Sequence, residues 1–288
     1  MKKYVIISLL LTLLGVMSLP AAAQKKLKTE RPDLEQIRKM TLDPKSPFYY
    51  PNLVKAYERN DTTMTPEQYR YFYFGAMFQE DYNPYRRSAY VDKSDSLLSL
   101  NRAAVERRDS TFRTLVQRKT GSFELKRKYD EIATHTLREQ REIMANAELA
   151  LKDNPFDLQS MYMLTRLFKD MKKDMSARIW DYRLENLLGA IVSSGTGKDQ
   201  DNAWFVISPD HEYFLLEVLG YDVTDYNFVE PGFDYLKVTP LDPKRRGSPN
   251  VPEGFYFDVQ MPIQQYTVKY PDDGEEEIDT AGEEIILE

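Results

Sequence analysis

The sequence predicts an α+β protein, with a mostly helical N-terminal and central part followed by a small β-containing C-terminal part. Three observations carry this expectation. Between residues 32 and 193, apolar residues recur at spacings of three, four and seven, the period of a helix face. After Ser193 the texture changes to short β-prone runs separated by Gly and Pro. The chain has 0 Cys among 288 residues, so the fold must rest on core burial without disulfides, which a chain of this length can provide.

The first residues have the three-part anatomy of a secretory signal. Lys2 and Lys3 form a positive start, Tyr4 to Leu14 is a nearly unbroken apolar run, and Ala21 and Ala23 are the small residues that a signal peptidase reads. Cleavage after Ala23 would leave Gln24 as the mature start. The apolar run is shorter than the roughly 20 residues that span hydrocarbon, and no later run approaches that length, so no integral membrane segment is expected after cleavage. Without cysteine the mature chain cannot be a lipoprotein of the usual bacterial kind. The expected product is therefore exported and soluble, in the periplasm or outside the cell.

Residues 24–31 read as a flexible basic leader. Pro32 opens the helical part, and Leu34, Ile37 and Met40 mark a first short helix. Asp43-Pro44 to Pro47 is a turn, and Asn52 to Arg59 is a second short helix. Thr65-Pro66-Glu67-Gln68 is the best-signed helix start in the chain. It combines a capping hydroxyl, a proline at the first helical position and a Gln three residues after the cap. The run Tyr69 to Phe78 is apolar on nearly all sides, which places this helix inside the core. Asn83-Pro84 marks a break. A charged helix is expected from about Ser94 to Arg118, and an amphipathic one along Leu125, Tyr129, Ile132, Thr136, Ile143, Ala147 and Leu151. After the break at Asp153-Asn154-Pro155-Phe156-Asp157, a further helix carries Leu158, Met161, Thr165 and Phe168. The next carries Ala177, Trp180, Leu184, Leu187, Leu188 and Ile191. Short loops between long helices imply antiparallel neighbours. The segment Ala150 to Leu188 resembles a helical hairpin of the tetratricopeptide type, although no 34-residue period recurs elsewhere.

In the C-terminal part, Ala203 to Ile207 is expected as a buried strand, and Pro209 starts a short helix that Gly220 ends. Phe233 to Val238 and Phe255 to Met261 are the other two strand candidates, the latter alternating between two faces. Pro240 to Gly254 is a long exposed loop. Residues 272–288 hold acidic side chains and no basic one, and read as a solvated, disordered tail. The expected organisation is a signal peptide over 1–23, the leader over 24–31, one compact domain over 32–271 and the tail over 272–288. Within that domain, 32–193 is helical and 194–271 is a small α/β part.

The available chemistry is narrow. Without cysteine there is no thiol nucleophile and no thiolate metal site, and two histidines, His135 and His211, exclude a His-rich metal site within one chain. The 46 acidic against 39 basic side chains argue against a nucleic-acid partner. No cofactor motif is present. Gly195-Thr196-Gly197-Lys198 lacks a phosphate loop's context, since Asp199 follows the lysine, a helix precedes and a strand comes after. The candidate catalytic residues are His211, Glu212 and Asp210, gathered with Ser208 just after a strand. Neighbours in sequence point in different directions, however, and the same residues suit a first helical turn, where acids meet the helix dipole. His135 sits beside an apolar stripe as a boundary residue.

One resemblance emerges from particular residues. Ser193-Ser194-Gly195-Thr196-Gly197-Lys198, Ala203-Trp204-Phe205-Val206-Ile207-Ser208, Glu212-Tyr213, Gly220 and Tyr256-Phe257-Asp258-Val259 are similar to domain-of-unknown-function family 4919. So are Ser46-Pro47-Phe48-Tyr49-Tyr50-Pro51 with Leu53, and Tyr71, Tyr73 and Gly75. The likeness spans roughly residues 32–265, about the size of a typical domain. It implies exported proteins of Bacteroidetes-type bacteria and a Gram-negative envelope location, and it implies no activity. The expected function is that of a non-catalytic partner-binding or scaffold protein of the cell envelope, with another envelope protein or a glycan as its partner. The alternatives are a hydrolase using His211 with Asp210 or Glu212, and a glycan-binding protein using exposed aromatic residues.

Overall fold

The computed structural model describes residues 29–60, 63–86 and 137–271. The signal peptide, most of the leader, the charged helix from Ser94, the first half of the amphipathic stripe, His135 and the acidic tail lie outside the described residues. Among the described residues the fold is α+β, with eight α-helices and one four-stranded mixed sheet. None of these helices is long and apolar enough to cross a membrane. The described residues gather into two compact units, one drawing on 29–50, 74–84 and 192–271, the other on 51–60, 63–73, 85–86 and 137–191.

The second unit is helical. It contains most of α2 (Tyr50–Glu58) and α3 (Pro66–Gly75), together with α4 (Leu137–Asp153), α5 (Leu158–Asp170) and nearly all of α6 (Asp174–Val192). The capping box at the start of α3 forms as its sequence implies. The Gln68 amide donates to the Thr65 hydroxyl at 3.2 Å, and the Thr65 amide donates to Gln68 Oε1 at 2.9 Å. Tyr69, Tyr71, Phe72 and Tyr73 are all buried, so α3 is covered on every side, as an all-round apolar helix must be. The Asp153–Asp157 break has a local cause. Asn154 Oδ1 accepts from the Phe156 amide and Asp157 caps α5 by accepting from the Ser160 amide, so side chains satisfy the backbone that the helices leave open. Helices α4 and α5 pack against each other across this break, forming the hairpin expected there.

Rings fill the unit's interior. Phe72 lies 4.7 Å from Tyr57 and 4.9 Å from Phe156 by ring centroids, and Tyr69 meets Tyr182 edge-on at 6.0 Å. The buried Arg183 guanidinium sits 4.2 Å over the Tyr57 ring and 4.7 Å over Trp180, and donates to the Tyr57 carbonyl. A charge at this depth is tolerated because two ring faces and a carbonyl replace its water. Trp204 is buried as expected, whereas Trp180 is only half-buried, under that guanidinium.

The first unit carries α1 (Leu34–Leu42), β1 (Trp204–Phe205), α7 (Asp210–Val218), β2 (Tyr221–Val229), β3 (Phe233–Pro240), β4 (Gly254–Asp258) and α8 (Gln260–Lys269). The strand order is β1-β4-β3-β2, with β1 parallel to β4 and the other pairs antiparallel. One face of the sheet is apolar, carrying Leu236, Phe255 and Phe257, and α7 packs against β2. The first described residues are tied in here. Arg31 forms an ion pair with the buried Asp258, and the Glu30 amide donates to the Ser193 carbonyl at 2.8 Å.

Three C-terminal details differ from the expectation. The Ala203–Ile207 run is buried throughout, but only Trp204 and Phe205 pair as strand. The strand from Phe255 stops at Asp258, and α8 starts at Gln260. Alternation through Val259 and Met261 hides this boundary, although Pro262 is a first-turn residue whose missing N–H costs nothing there. Strand β2 has no counterpart in the expectation. The cause is a bulge, because Val223 pairs with Val238 and Asp225 with Lys237, leaving Thr224 without a partner. One extra residue shifts the alternation by one, so Tyr221 and Val223 are out of phase with Tyr226 and Phe228.

Candidate functional site

Helix α7 begins where the sequence turns from the buried run Val206-Ile207 into Ser208-Pro209. The His211 amide donates to the Ser208 carbonyl at 3.1 Å and the Glu212 amide to the Pro209 carbonyl at 3.0 Å, which closes the first turn. The helix buries His211, Glu212, Phe214, Leu215 and Leu216 and ends at Gly220, whose φ of +84° suits the residue after a helix. Of the three expected site residues, Asp210 is exposed while His211 and Glu212 are buried at 3 % and 1 % exposure.

Glu212 meets residues that the sequence reading did not single out. Its carboxyl lies beside Asp234 of β3, and the Tyr226 hydroxyl of β2 donates to Asp234 Oδ1 at 3.0 Å. Glu212 Oε1 is buried and has no hydrogen-bond partner among the described residues. Strand phase explains the convergence. Asp234 stands in phase with Leu236 on the face that carries Phe257, directly across from Phe228, with Tyr226 on its diagonal. The signal for Asp234 was available in the sequence: Phe233-Asp234-Tyr235-Leu236 puts a lone acid on the apolar face of a strand.

Burial raises the Glu212 carboxyl well above the usual glutamate range, and the neighbouring Asp234 and Asp210 raise it further. The helix N-terminus favours the ionised form by up to about 2 kcal/mol. Removal from water next to another carboxylate outweighs it. Asp234 is also raised, by burial, against the lowering effect of hydrogen bonds from Tyr226 and Glu212. Both carboxyls are therefore held above the usual carboxylate range, Glu212 well above it. Tyr226 is pushed up by burial and by the hydrogen bond to Asp234, and Tyr213 by burial and by the charges of Glu212 and Asp234.

This arrangement sets a pH dependence. The folded state holds the Glu212 proton above the ordinary value of 4.5, where the unfolded chain has lost it. The unfolded state then binds fewer protons, so this group's contribution is complete below pH 4.5 and falls as pH rises towards its folded value. Glu212→Gln keeps a donor to Asp234 and has nothing to titrate. Relative to wild type, the variant is expected to gain stability as pH rises above 4.5, with a limiting slope of about 1.4 kcal/mol per pH unit for one proton. Urea unfolding at each pH measures the difference, and a difference independent of pH would refute the assignment.

The sequence profile of a family described as a domain of unknown function (DUF4919) matches residues 35–116 and 116–268. The chain belongs to domain-of-unknown-function family 4919. No curated protein and no solved structure matches it. The matched range of this DUF4919 chain includes Glu212, Asp234 and Tyr226, and also the loop from Gly195 to Lys198. That loop clasps a ring. Gly195 accepts from the Trp204 indole at 3.1 Å, and Gly197, at φ +68°, leaves space where a Cβ would stand 2.7 Å from the indole.

Proposed function

We propose that this DUF4919 protein is exported, processed after Ala23, and serves as a non-catalytic partner-binding protein of the cell envelope. The observation that carries the binding role is strand β2. It lies at the sheet edge, Thr224 to Phe228 are exposed in succession, and Tyr226 and Phe228 remain at 50 % and 45 % exposure. An open edge presents unpaired backbone groups to which an extended segment of another protein can add as a strand. Asp225 is paired with Lys237 at 3.3 Å, and the exposed Asp222 and Glu230 leave this edge acidic, so the partner segment is basic. The hydrolase alternative requires substrate to touch His211 and Glu212, both of which are covered.

Site-specific photo-cross-linking in the producing cell tests the binding role. A cross-linker at Asn227 is expected to capture a discrete envelope protein, whereas one at the exposed Met175, outside the sheet, is not. Equal capture at both positions, or none at Asn227, would remove the proposal. Export has its own measurement, since the recovered protein should begin at Gln24.

A further inference from the structure

We propose that the Arg246–Gly247 bond is a processing site: an arginine-specific endoprotease cuts the folded protein there, and the two pieces stay together. The connection from β3 to β4 carries the signal. Leu241 to Gly247 are exposed without a break, and within them stand three consecutive bases, Lys244, Arg245 and Arg246. Such loop tips are where proteases nick folded chains. The backbone here closes short turns within the loop. The Arg245 amide donates to the Asp242 carbonyl at 3.0 Å, the Arg246 amide to the Pro243 carbonyl at 3.3 Å and the Ser248 amide to the Arg245 carbonyl at 3.2 Å. Strand β3 ends at Pro240 and β4 starts at Gly254, so opening these turns breaks no strand pair and costs little.

The three bases are not equivalent. Lys244 and Arg245 lie within a 3₁₀ turn (Pro243–Arg245), whereas an endoprotease takes its substrate extended. The Arg245 guanidinium is also held, 5.1 Å over the Tyr221 ring and donating to the Tyr221 hydroxyl at 2.9 Å. Arg246 is already extended, at φ −64° and ψ 134°. Its Nε donates to the Pro240 carbonyl at 3.2 Å, a neutral acceptor that the guanidinium can leave for a carboxylate. Nothing lies within 4 Å of where a Cβ on Gly247 would stand, so the far side of the bond is open. Two other exposed basic pairs sit in held backbone. Arg38-Lys39 lies inside α1, and Lys172-Lys173 joins α5 to α6, with the Lys173 amide donating to the Phe168 carbonyl at 2.8 Å. The protease class follows from arginine, which a carboxylate at the floor of a specificity pocket receives. The cut is a hydrolysis. Water adds to the Arg246 carbonyl, the C–N bond to Gly247 breaks, and an Arg246 carboxyl and a Gly247 amine result. Contacts outside the loop hold the pieces: Phe233 to Lys237 pair with Gly254 to Asp258, and Trp204 stacks on Phe255 at 5.1 Å. Arg245 stays on the same piece as Tyr221 and the rest of β2, so the nick leaves that edge in place.

Limiting trypsin on the chain from Gln24, read by amino-terminal sequencing and size-exclusion chromatography, is the test. A new terminus at Gly247 is expected early, with the two pieces eluting together and parting only in denaturant. Arg246→Gln should slow its appearance about tenfold or more, because a pocket built for a cation rejects the neutral amide. Arg245→Gln should leave its rate unchanged. Absence of the Gly247 terminus before the sheet itself is digested would overturn the proposal. So would cutting of Arg246→Gln after Lys244 or Arg245 at the wild-type rate, since the three bases would then be interchangeable. Pieces that separate in native buffer would overturn it too. Protein recovered from the producing cells should carry the same terminus, and a loop found uncut there would overturn its use as a processing site.

Discussion

Trp204→Ala is expected to lower folding stability by about 3–5 kcal/mol, the range for removing a large buried aromatic. The indole is 2 % exposed and stacks on Phe255 at 5.1 Å, with Phe257 at 5.6 Å. Its Nε1 donates to the Gly195 carbonyl at 3.1 Å, which ties the ring to the loop. The Thr196 and Gly197 amides both donate to the Asn202 carbonyl at 2.8 Å, and the Tyr256 amide donates to the Gly197 carbonyl at 2.8 Å. Removing the ring opens a cavity between the loop and β4, and leaves a buried carbonyl without its donor, a further cost of about 1–3 kcal/mol where water cannot enter. Trp204→Phe separates the two effects, since it restores most of the volume but not the donor. Urea unfolding is the measurement. A loss below about 1 kcal/mol for Trp204→Ala would show that the loop collapses freely onto the sheet.

The same loop shows how far the sequence could be read. Its Gly-x-Gly-Lys pattern suggested phosphate binding, and context alone excluded it. What the glycines do becomes visible only when Trp204 is placed against them, because a residue spacing of seven says nothing about a ring's position. Helices were legible where one face was apolar or a cap was written locally, as at Thr65 and Asp157. Strand β2 was not legible, since the bulge at Thr224 breaks the two-residue period on which strand recognition depends. The candidate site was half legible. Ser208 to Glu212 attracted notice as a cluster, but sequence neighbours diverge, and the groups that converge on Glu212 come from β2 and β3, across the turn at Glu230-Pro231-Gly232. Finding Asp234 required the phase of β3, and finding Tyr226 required β2 itself.

Phe72→Ala is expected to cost about 3–5 kcal/mol in the helical unit, for a reason different from that at Trp204. Phe72 makes no hydrogen bond through its ring, so the loss is packing alone. The ring is fully buried between Tyr57 of α2 and Phe156 of the α4–α5 connection, at 4.7 and 4.9 Å. Its two neighbours come from distant parts of the sequence and cannot close over the space without moving whole helices. Phe72→Leu keeps most of the volume and should cost clearly less. Ring-to-ring contact adds a part that volume does not explain, about 0.5–1.5 kcal/mol for such a pair. A double-mutant cycle of Phe72→Leu with Phe156→Leu isolates it. A coupling energy within about 0.3 kcal/mol of zero would mean that these rings act as fillers, and that any large aliphatic side chain would serve at the centre of α3.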